Sequence, residues 1–445
     1  MEQVGGEDIG GRTPVRQVIG ASFIGTALEW YDYFIYGTAA ALVFPELYFP
    51  GFSDLSATLA SFATFGVGFF ARPVGAVVFG HYGDRIGRKA MLVATLLIMG
   101  IATFLIGILP TYESIGILAP IALVVLRLLQ GFAVGGEWGG AVLMAIEYST
   151  RERRGFHGSW PQMGAPAGLV LSTGVFAIFS ALPEEQFMVW GWRGPFLLSV
   201  ILVVIGLFIR TRIAETPVFS RVRETDTEAG MPIVDVFRTY PRNVILATGV
   251  RISIDVAYYI FAVYSLTYVT EELGLPSSTV LLGLFIAATI ELFTMPACGM
   301  LSDRVGQRPV IIGGAVFLGL FALPFFWMLE TKVSVVIWLA LILGLSVGHA
   351  AGYGPLASFI ARLFGARVRY SGTSISYQLA GVLGGALAPT IAVLLYAAIA
   401  GPELIAVYMA ALCLLTVVCV YLASNFPGDA EEEEQLVAER QETTS

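Results

Sequence analysis

Residues 80–89 read Gly-His-Tyr-Gly-Asp-Arg-Ile-Gly-Arg-Lys, and residues 302–307 return to the same pattern as Ser-Asp-Arg-Val-Gly-Gln. Each copy is a short charged stretch that follows a long apolar window. Internal repeats of this kind are typical of membrane proteins built from two related halves. The pattern therefore predicts that the chain folds as two similar units, one before and one after its middle.

A second internal repeat supports this division into two halves. Arg154, Gly155 and Gln162 return in the second half of the chain as Arg369, Gly372 and Gln378, at offsets near 216 residues.

The composition outside the repeats is strongly apolar. Hydrophobic residues make up 56% of the 445 residues and charged residues only 13%, whereas a soluble domain carries about 25% charged residues. Each apolar window is long enough to cross a hydrocarbon core about 30 Å thick as a helix, which satisfies its own backbone in lipid. The sequence thus predicts an all-α, twelve-helix transmembrane bundle of two pseudo-symmetric six-helix halves. The predicted spans are 18–43, 56–80, 90–109, 119–147, 157–181, 193–209, 243–268, 277–300, 309–329, 333–361, 371–397 and 402–424.

The basic residues predict an orientation. Most of the 25 Lys and Arg residues fall at the N-terminus or in the loops after even-numbered spans, while the opposite loops contain only Arg193 and Lys332. By the positive-inside rule, both termini are expected to be cytoplasmic.

The same reading divides the chain into five segments. These are a cytoplasmic N-terminal segment (1–17), an N-terminal half (18–209), a charged cytoplasmic linker (210–242), a C-terminal half (243–424) and an acidic cytoplasmic tail (425–445).

Several classes of function are not supported by the residues. Much of the net charge of −8 comes from Glu431–Glu434 in the tail, so nucleic acid is not an expected partner. The sequence has no Walker-type loop for a nucleotide and no nucleophile or metal constellation. We therefore expect a monomeric membrane transporter that is not an enzyme, needs no cofactor and draws its energy from a gradient.

The loop at residues 80–89 matches the signature between helices 2 and 3 of the major facilitator superfamily, which the chain resembles along almost its full length. Within that superfamily, four stretches look like the metabolite:proton symporter group, whose members carry dicarboxylates, citrate, shikimate, ketoglutarate, proline or betaine. The four stretches are 25–32 (Gly-Thr-Ala-Leu-Glu-Trp-Tyr-Asp), 71–75 (Ala-Arg-Pro-Val-Gly), Arg127 to Glu137, and Trp192–Arg193 with 215–219.

Ionisable residues inside the predicted spans are the main functional candidates. Each charge near the middle of a bilayer costs about 2.5 to 3.5 kcal/mol on insertion scales, so such residues are expected to face an aqueous central cavity. The set is Glu29, Asp32, Arg72, Arg127, Glu137, Arg251, Asp255 and Glu291, with His349 beside them.

Span 1 presents a proton-handling face. Glu29 and Asp32 are three residues apart, and Tyr33 and Tyr36 continue the stripe at helical spacing. Two neighbouring buried carboxylates cannot both ionise cheaply, so one of them is suited to take up and release a proton. The alternative is that Glu29 is a structural partner of Arg72.

The resemblance implies a partner for Asp32. In proton-coupled relatives an Arg at the position of Arg127 pairs with an Asp in helix 1, and the matching acid here is Asp32. Protonation of Asp32 would then free Arg127 for a substrate carboxylate. A purely structural buried ion pair is the alternative.

Arg72 and Arg251 are further candidates for substrate binding, because a guanidinium group binds a carboxylate in a bidentate fork. Arg251 and Asp255 are four residues apart, so they alternatively neutralise each other. Gln162 and Gln378 are expected to donate hydrogen bonds to substrate. Tyr33 and Tyr36 are predicted to bind substrate together with Arg72 and Arg127.

Other polar residues of the spans leave two interpretations open. Glu137 lies among four glycines and is either a core partner or a second proton-coupling residue. Glu291 and His349 are either satisfied hydrogen-bonding groups between helices or members of a relay.

The charged loops predict a cytoplasmic gate. Asp84 is expected to accept hydrogen bonds from a helix N-terminus while arginines bridge to Glu147, which holds the inward side closed. The predicted gate residues are Gly83, Asp84, Arg85, Gly87, Arg88, Glu147, Arg153, Arg154, Asp303 and Arg304.

Together these observations predict a proton-coupled secondary active transporter that imports a small organic anion, a mono- or dicarboxylate, by alternating access. The alternatives are a symporter of a zwitterionic osmolyte such as proline or betaine, and an exporter or uniporter of the same fold. The expected location is the inner or plasma membrane.

Overall fold

The structure, a computed structural model, describes residues 15–86, 88–135, 138–147, 149–212, 232–365, 368–423 and 426, and the regular elements in these residues are all helical. The long helices are labelled α1 to α12 in chain order. They are Val15–Leu42, Asp54–Ile86, Arg88–Ile108, Leu118–Val134 continued by Trp138–Glu147, Arg154–Ser180, Arg193–Arg212, Pro241–Glu272, Ser277–Val305, Gln307–Glu330, Ser334–Arg362, Arg369–Ile399 and Glu403–Leu422.

The twelve windows predicted from the sequence all fall on these helices, which confirms the all-α prediction. In the described ranges, eight helices are long and apolar enough to cross a bilayer, and Glu184–Gly191 with Arg193–Phe208, bent by 44°, gives a ninth. Val93–Ile108 and Leu118–Val134 are shorter apolar helices. Large apolar side chains such as Phe293, Leu320 and Tyr421 are exposed on the outside of the bundle, as a lipid-facing surface requires.

Wider helical turns interrupt three helices of the second half. π-Helical stretches occur at Ile260–Tyr264 in α7, Leu343–His349 in α10 and Gly381–Ala386 in α11. Such turns shift the direction in which the following side chains point and are frequent at functional sites. All three lie close in sequence to the ionisable or aromatic residues of the predicted site.

Glycines bring α2 and α4 into close contact. A Cβ atom at Gly131 would overlap the carbonyl group of Gly68, and one at Gly135 would overlap the carbonyl oxygen of Arg72. Small residues at a helix crossing let two backbones approach closely in a membrane. This crossing brings Arg72 and Arg127 into the same layer of the bundle.

The two halves meet on both sides of that layer. Toward one end, a Cβ atom at Gly66 in α2 would lie 2.8 Å from the carbonyl oxygen of Ala386 in α11. Toward the other, one at Gly299 in α8 would lie 2.7 Å from the carbonyl oxygen of Gly155 in α5. We call the latter the Asp303 end, because Asp303 follows Gly299 in α8.

The predicted linker contains one described helix, Pro232–Thr239, and residues 213–231 lie outside the described part of the chain. Nearly all of the predicted N-terminal segment and acidic tail also lies outside it. The five segment boundaries therefore stay predictions.

The α2–α4 crossing gives a first testable prediction. Gly131→Ala should lower the free energy of unfolding by about 1–3 kcal/mol, because the new methyl group forces two backbones apart. Gly313→Ala in α9 is the matched control, since nothing lies within 4 Å of its added Cβ atom. Thermal unfolding of the detergent-purified variants measures both. Equal midpoints for the two variants would contradict the close crossing.

Candidate functional site

Two arginines of the first half share one aromatic ring. The guanidinium carbon of Arg72 lies 4.6 Å from the ring centre of Tyr33, and that of Arg127 lies 4.1 Å from it. Phe69 and Tyr36 cover the outer sides at 4.4 Å and 4.3 Å from Arg72 and Arg127. Aromatic faces attract cations, so these rings stabilise both side chains in a buried place. The sequence analysis grouped these two arginines and two tyrosines, and the structure brings them together.

The hydrogen-bonding capacity of these two arginines is only partly used. Arg127 donates from Nε to the carbonyl oxygen of Phe65 at 3.3 Å and from Nη1 to Oε1 of Gln130 at 3.1 Å. Its Nη2 and the Nε of Arg72 are buried without a partner. Among the described side chains, no carboxylate lies within ion-pairing distance of either guanidinium. A buried donor without an acceptor costs free energy, so this layer is suited to receive an anion.

Asp32 is linked to Arg127 indirectly. The direct ion pair that the resemblance implied is not formed in this structure, because Arg127 faces Tyr33 and Tyr36. Gln130 instead accepts from Arg127 and donates from Nε2 to Oγ1 of Thr103 at 2.8 Å. The Thr103 hydroxyl is in hydrogen-bonding contact with the Asp32 carboxyl group. A polar relay thus replaces the predicted contact.

Arg251 and Asp255 in α7 do pair with each other. Nη2 of Arg251 lies 3.0 Å from Oδ1 of Asp255, and both side chains are buried. Nη1 of Arg251 also donates to the carbonyl oxygen of Tyr377, whose ring lies under the guanidinium group. Trp138 stacks on the other face of the Tyr377 ring. The alternative that this arginine is neutralised on its own helix is confirmed, and its role toward substrate stays a prediction.

The repeat-related glutamines connect the two halves. Gln162 in α5 donates to the carbonyl oxygen of Tyr353 in α10 at 3.4 Å, and Gln378 in α11 donates to that of Gly135 in α4 at 3.3 Å. Trp138 donates to the Gln162 amide oxygen at 2.9 Å. In this conformation both amide groups hydrogen-bond to the opposite half. Substrate would have to replace these hydrogen bonds in order to bind the two glutamines.

At the Asp303 end, one carboxylate caps a helix of the opposite half. Asp303 in α8 accepts from the backbone N–H groups of Gly155 and Phe156 at 2.7 and 2.9 Å. These are free donors at the start of α5, where the helix dipole also favours a negative charge. The sequence assigned such capping to Asp84, and its repeat partner Asp303 is the residue seen to do it. Arg153 and Arg304 of the predicted gate are exposed nearby.

The remaining gate residues are described only in part. Arg154 is half-buried and makes further contacts. Gly87 and Glu137 lie outside the described residues, and so do the side chains of Asp84, Arg85, Arg88 and Glu147, while Gly83 lies in α2.

The in-span charges do not line an open cavity in this conformation. Glu29, the most exposed of the described members, has 8% of its surface accessible. Tyr259 of the second half packs against Tyr33, Phe65 and Phe69 of the first, with ring centres 5.6 to 6.2 Å apart. The expectation of an aqueous vestibule is therefore wrong for this closed form, because aromatic rings fill the space between the halves.

Sequence reasoning missed two features of the site. The first is this aromatic contact between the halves, for which the only signal was Phe65 and Phe69 at helical spacing before Arg72. The second is that Glu291 and His349, interpreted as lone polar groups, bond to each other across α8 and α10 at 2.5 Å. Each thus hydrogen-bonds between helices, but the second oxygen of Glu291 is buried without a partner, and the choice between a structural role and a relay stays a prediction.

The sequence model of the Major Facilitator Superfamily matches residues 22–389, most of the chain. The chain is 42% identical to the inner membrane metabolite transport protein YhjE of Escherichia coli (strain K12), over 92% of this chain and 95% of that protein. It is 40% identical to the shikimate transporter of the same organism, over 91% and 93%. Its identity to the proline/betaine transporter of that organism is 35%, over 85% and 77%.

Solved structures show the same architecture. The fold matches a crystal structure of a D-xylose-proton symporter with a TM-score of 0.70 and 16% sequence identity, covering 93% of this chain and 98% of that one. At this identity, the likeness concerns the fold alone. It supports the twelve-helix arrangement and the two pseudo-symmetric halves.

The Arg251–Asp255 pair gives the second prediction. Asp255→Asn should lower the free energy of unfolding by about 3–5 kcal/mol, because it leaves a buried guanidinium without its counter-charge. Arg251→Gln combined with Asp255→Asn should recover part of this loss. Glu185→Gln, at an exposed acid, is the control. Thermal unfolding in detergent measures all four proteins, and a double variant no more stable than Asp255→Asn would show that the pair is not coupled.

Proposed function

This chain belongs to the major facilitator superfamily, and we propose that it is a proton-coupled symporter that imports a small organic anion by alternating access. It is a multi-pass membrane transporter, and its relatives carry small metabolites. The observation that supports an anionic substrate is the layer formed by Arg72 and Arg127, two buried guanidinium groups that share the Tyr33 ring and have unused donors. A substrate carboxylate would supply the missing acceptors.

The relatives favour a substrate with at least one carboxylate. Shikimate, proline and betaine, which appear in the names of relatives, all contain this group. Arg251 is already neutralised by Asp255, so it offers a weaker second site for anions than an unpaired arginine would. This favours a monocarboxylate over a dicarboxylate. A zwitterionic osmolyte remains the second candidate, because it brings one carboxylate to the same two arginines.

Proton coupling is proposed through Asp32 and the relay to Arg127. When Asp32 is ionised, Gln130 and Thr103 hold the relay in one arrangement. Protonation removes the negative charge that faces this relay, so Arg127 becomes a stronger site for substrate. Substrate and proton then favour each other's binding, as any linkage requires. Glu29, buried one turn away on α1, is proposed to adjust this equilibrium, and Glu137 keeps its predicted place as an additional proton-coupling residue.

The gate and the orientation complete the proposal. Capping of α5 by Asp303 holds the halves together at the Asp303 end, and Gln162 and Gln378 hold them together closer to the arginine layer. The arginine-rich loops support a cytoplasmic location for this end and for both termini. The protein would work as a monomer in the cell membrane and use the proton gradient in place of a cofactor.

The substrate class is tested with purified protein in proteoliposomes and an imposed inward proton gradient. Labelled shikimate, ketoglutarate, citrate, a benzoate-like acid, proline and betaine are offered separately. We expect proton-driven accumulation of one of the organic acids. Accumulation of only proline or betaine would favour the osmolyte alternative, and uptake that ignores the gradient would favour a uniporter.

For the transported compound, Arg127→Lys should raise the apparent KM by about tenfold to a hundredfold, since a point charge replaces a bidentate fork worth about 1.5–3 kcal/mol. Arg72→Lys should act in the same direction. Arg242→Lys, the same change at an exposed position, is the control. Unchanged KM values in both site variants would remove these arginines from substrate binding.

Asp32→Asn tests the coupling. We expect this variant to lose gradient-driven accumulation while retaining exchange of labelled for unlabelled substrate across the membrane. An amide cannot bind and release the proton, but it leaves the substrate site intact. Parallel counterflow and accumulation assays separate the two activities. Accumulation equal to that of the parent protein would exclude Asp32 as the coupling residue.

A further inference from the structure

A buried acid–base pair lies in the second half, apart from the arginine layer. Nδ1 of His349 in α10 is 2.5 Å from Oε1 of Glu291 in α8, and neither side chain reaches solvent in this conformation. The second oxygen of Glu291 is buried without a partner, and so is the hydroxyl group of Tyr258 in α7, whose ring packs on His349. A structural pair would normally use both carboxylate oxygens, so this site has unused capacity.

The contact fits two protonation states. A neutral imidazole can donate its own N–H from Nδ1 to an ionised carboxylate, which leaves the pair with a net negative charge. One further proton makes the pair neutral overall. Enclosing the net negative charge among buried groups costs free energy, and the neutral pair avoids that cost. The closed conformation therefore favours the protonated pair.

Aromatic rings separate this pair from the contact between the halves. Tyr258 packs on His349 with ring centres 4.4 Å apart, and from α1 it contacts Trp30 and Phe34, at 6.4 and 5.6 Å. When the halves move apart, Tyr258 loses its partners from α1. Water would then reach the pair, and the proton could leave.

The pair is also connected to Arg251, which lies near the layer of Arg72 and Arg127, because Arg251 and Phe69 flank the same glycine, Gly381. His349 stacks on Tyr353, whose hydroxyl group bonds that of Tyr377 at 2.8 Å, and Tyr377 carries Arg251 on its face. An anionic substrate in this layer would favour a proton on the pair by direct attraction. An empty layer, which presents the positive charge of the arginines, would disfavour it.

The charged and titratable groups around the pair come from several helices. In the described residues, α5 and α9 contribute none at this level. The others are Arg251, Asp255 and Tyr258 from α7, Cys298 from α8, Tyr353 from α10 and Tyr377 from α11.

We infer that Glu291 and His349 form a second proton-binding site, which takes up one proton together with the anionic substrate and releases it to water after the halves open. This inference rests on the proposed function and adds a second proton to the one assigned to Asp32. Protonation of Asp32 controls the rearrangement of the relay, whereas the Glu291–His349 pair carries a second proton and does not affect the relay.

The test is the proton stoichiometry of transport. Accumulation of the substrate identified above is measured in proteoliposomes with the membrane potential clamped at zero, over a series of imposed pH gradients. Each coupled proton multiplies the limiting accumulation ratio by about ten per pH unit. We expect Glu291→Gln to remain coupled through Asp32 but to lose about tenfold in this ratio per pH unit. His349→Gln should give the same loss, and Glu291→Asp should restore the parent's dependence.

Ser253→Ala is the matched control, because it removes another buried polar contact in this half, the bond from Ser253 to Thr416 between α7 and α12. It should leave the slope unchanged. A parent slope of one proton per substrate, or an unchanged slope in an assembled Glu291→Gln or His349→Gln variant, would overturn the inference. Failure of the proposed function is distinguishable, because the parent protein would then show no accumulation driven by the pH gradient.

Discussion

The cost of burying a guanidinium group inside a membrane governs the centre of this molecule. Arginine stays charged, so each of the three in-span arginines has to find compensation from its neighbours. The two halves provide it differently. Arg251 has a carboxylate four residues away, whereas Arg72 and Arg127 rely on aromatic faces and backbone or amide oxygens. A contact with an aromatic face stabilises a cation by about 0.5 to 2 kcal/mol, which is less than a carboxylate partner provides. The positive charge of Arg72 and Arg127 is thus only partly compensated, and a bound anion can complete the compensation.

The architecture could be predicted almost completely from the sequence. Hydropathy and the repeat around Asp84 and Asp303 specify twelve helices in two halves, because span length is set by bilayer thickness and not by distant contacts. Contacts between residues one turn apart on the same helix could equally be predicted from the sequence, as the Arg251–Asp255 pair shows. The proximity of Arg72, Arg127 and Tyr33 could also be predicted, because a charged side chain inside a span has to turn toward the interior of the bundle.

Contacts between distant helices could not be predicted in the same way. The bond between Glu291 and His349 depends on how α8 and α10 rotate about their axes, and a π-helical stretch in α10 changes that rotation just before His349. The expected contact of Asp32 with Arg127 was wrong for a related reason. Gln130, on the same helix as Arg127, hydrogen-bonds to the guanidinium group in place of Asp32. A single sequence does not show which of these two acceptors Arg127 will contact. Closure of the cavity likewise depends on the conformation and not on composition.

The repeat has a further consequence for the movement of the halves. The contacts of Gln162 with Tyr353 and of Gln378 with Gly135 are related by the same internal symmetry, so each half holds the other in an equivalent way. Both use a side-chain amide that donates to a backbone carbonyl, at 3.3 to 3.4 Å, near the long limit for a hydrogen bond. Such contacts are weak enough to exchange for water or for a substrate carboxylate. The capping of α5 by Asp303 is shorter and charge-assisted, so it is the stronger restraint. We therefore expect opening at this end to be limited by the charged cap, while the glutamines respond to whatever occupies the layer between them.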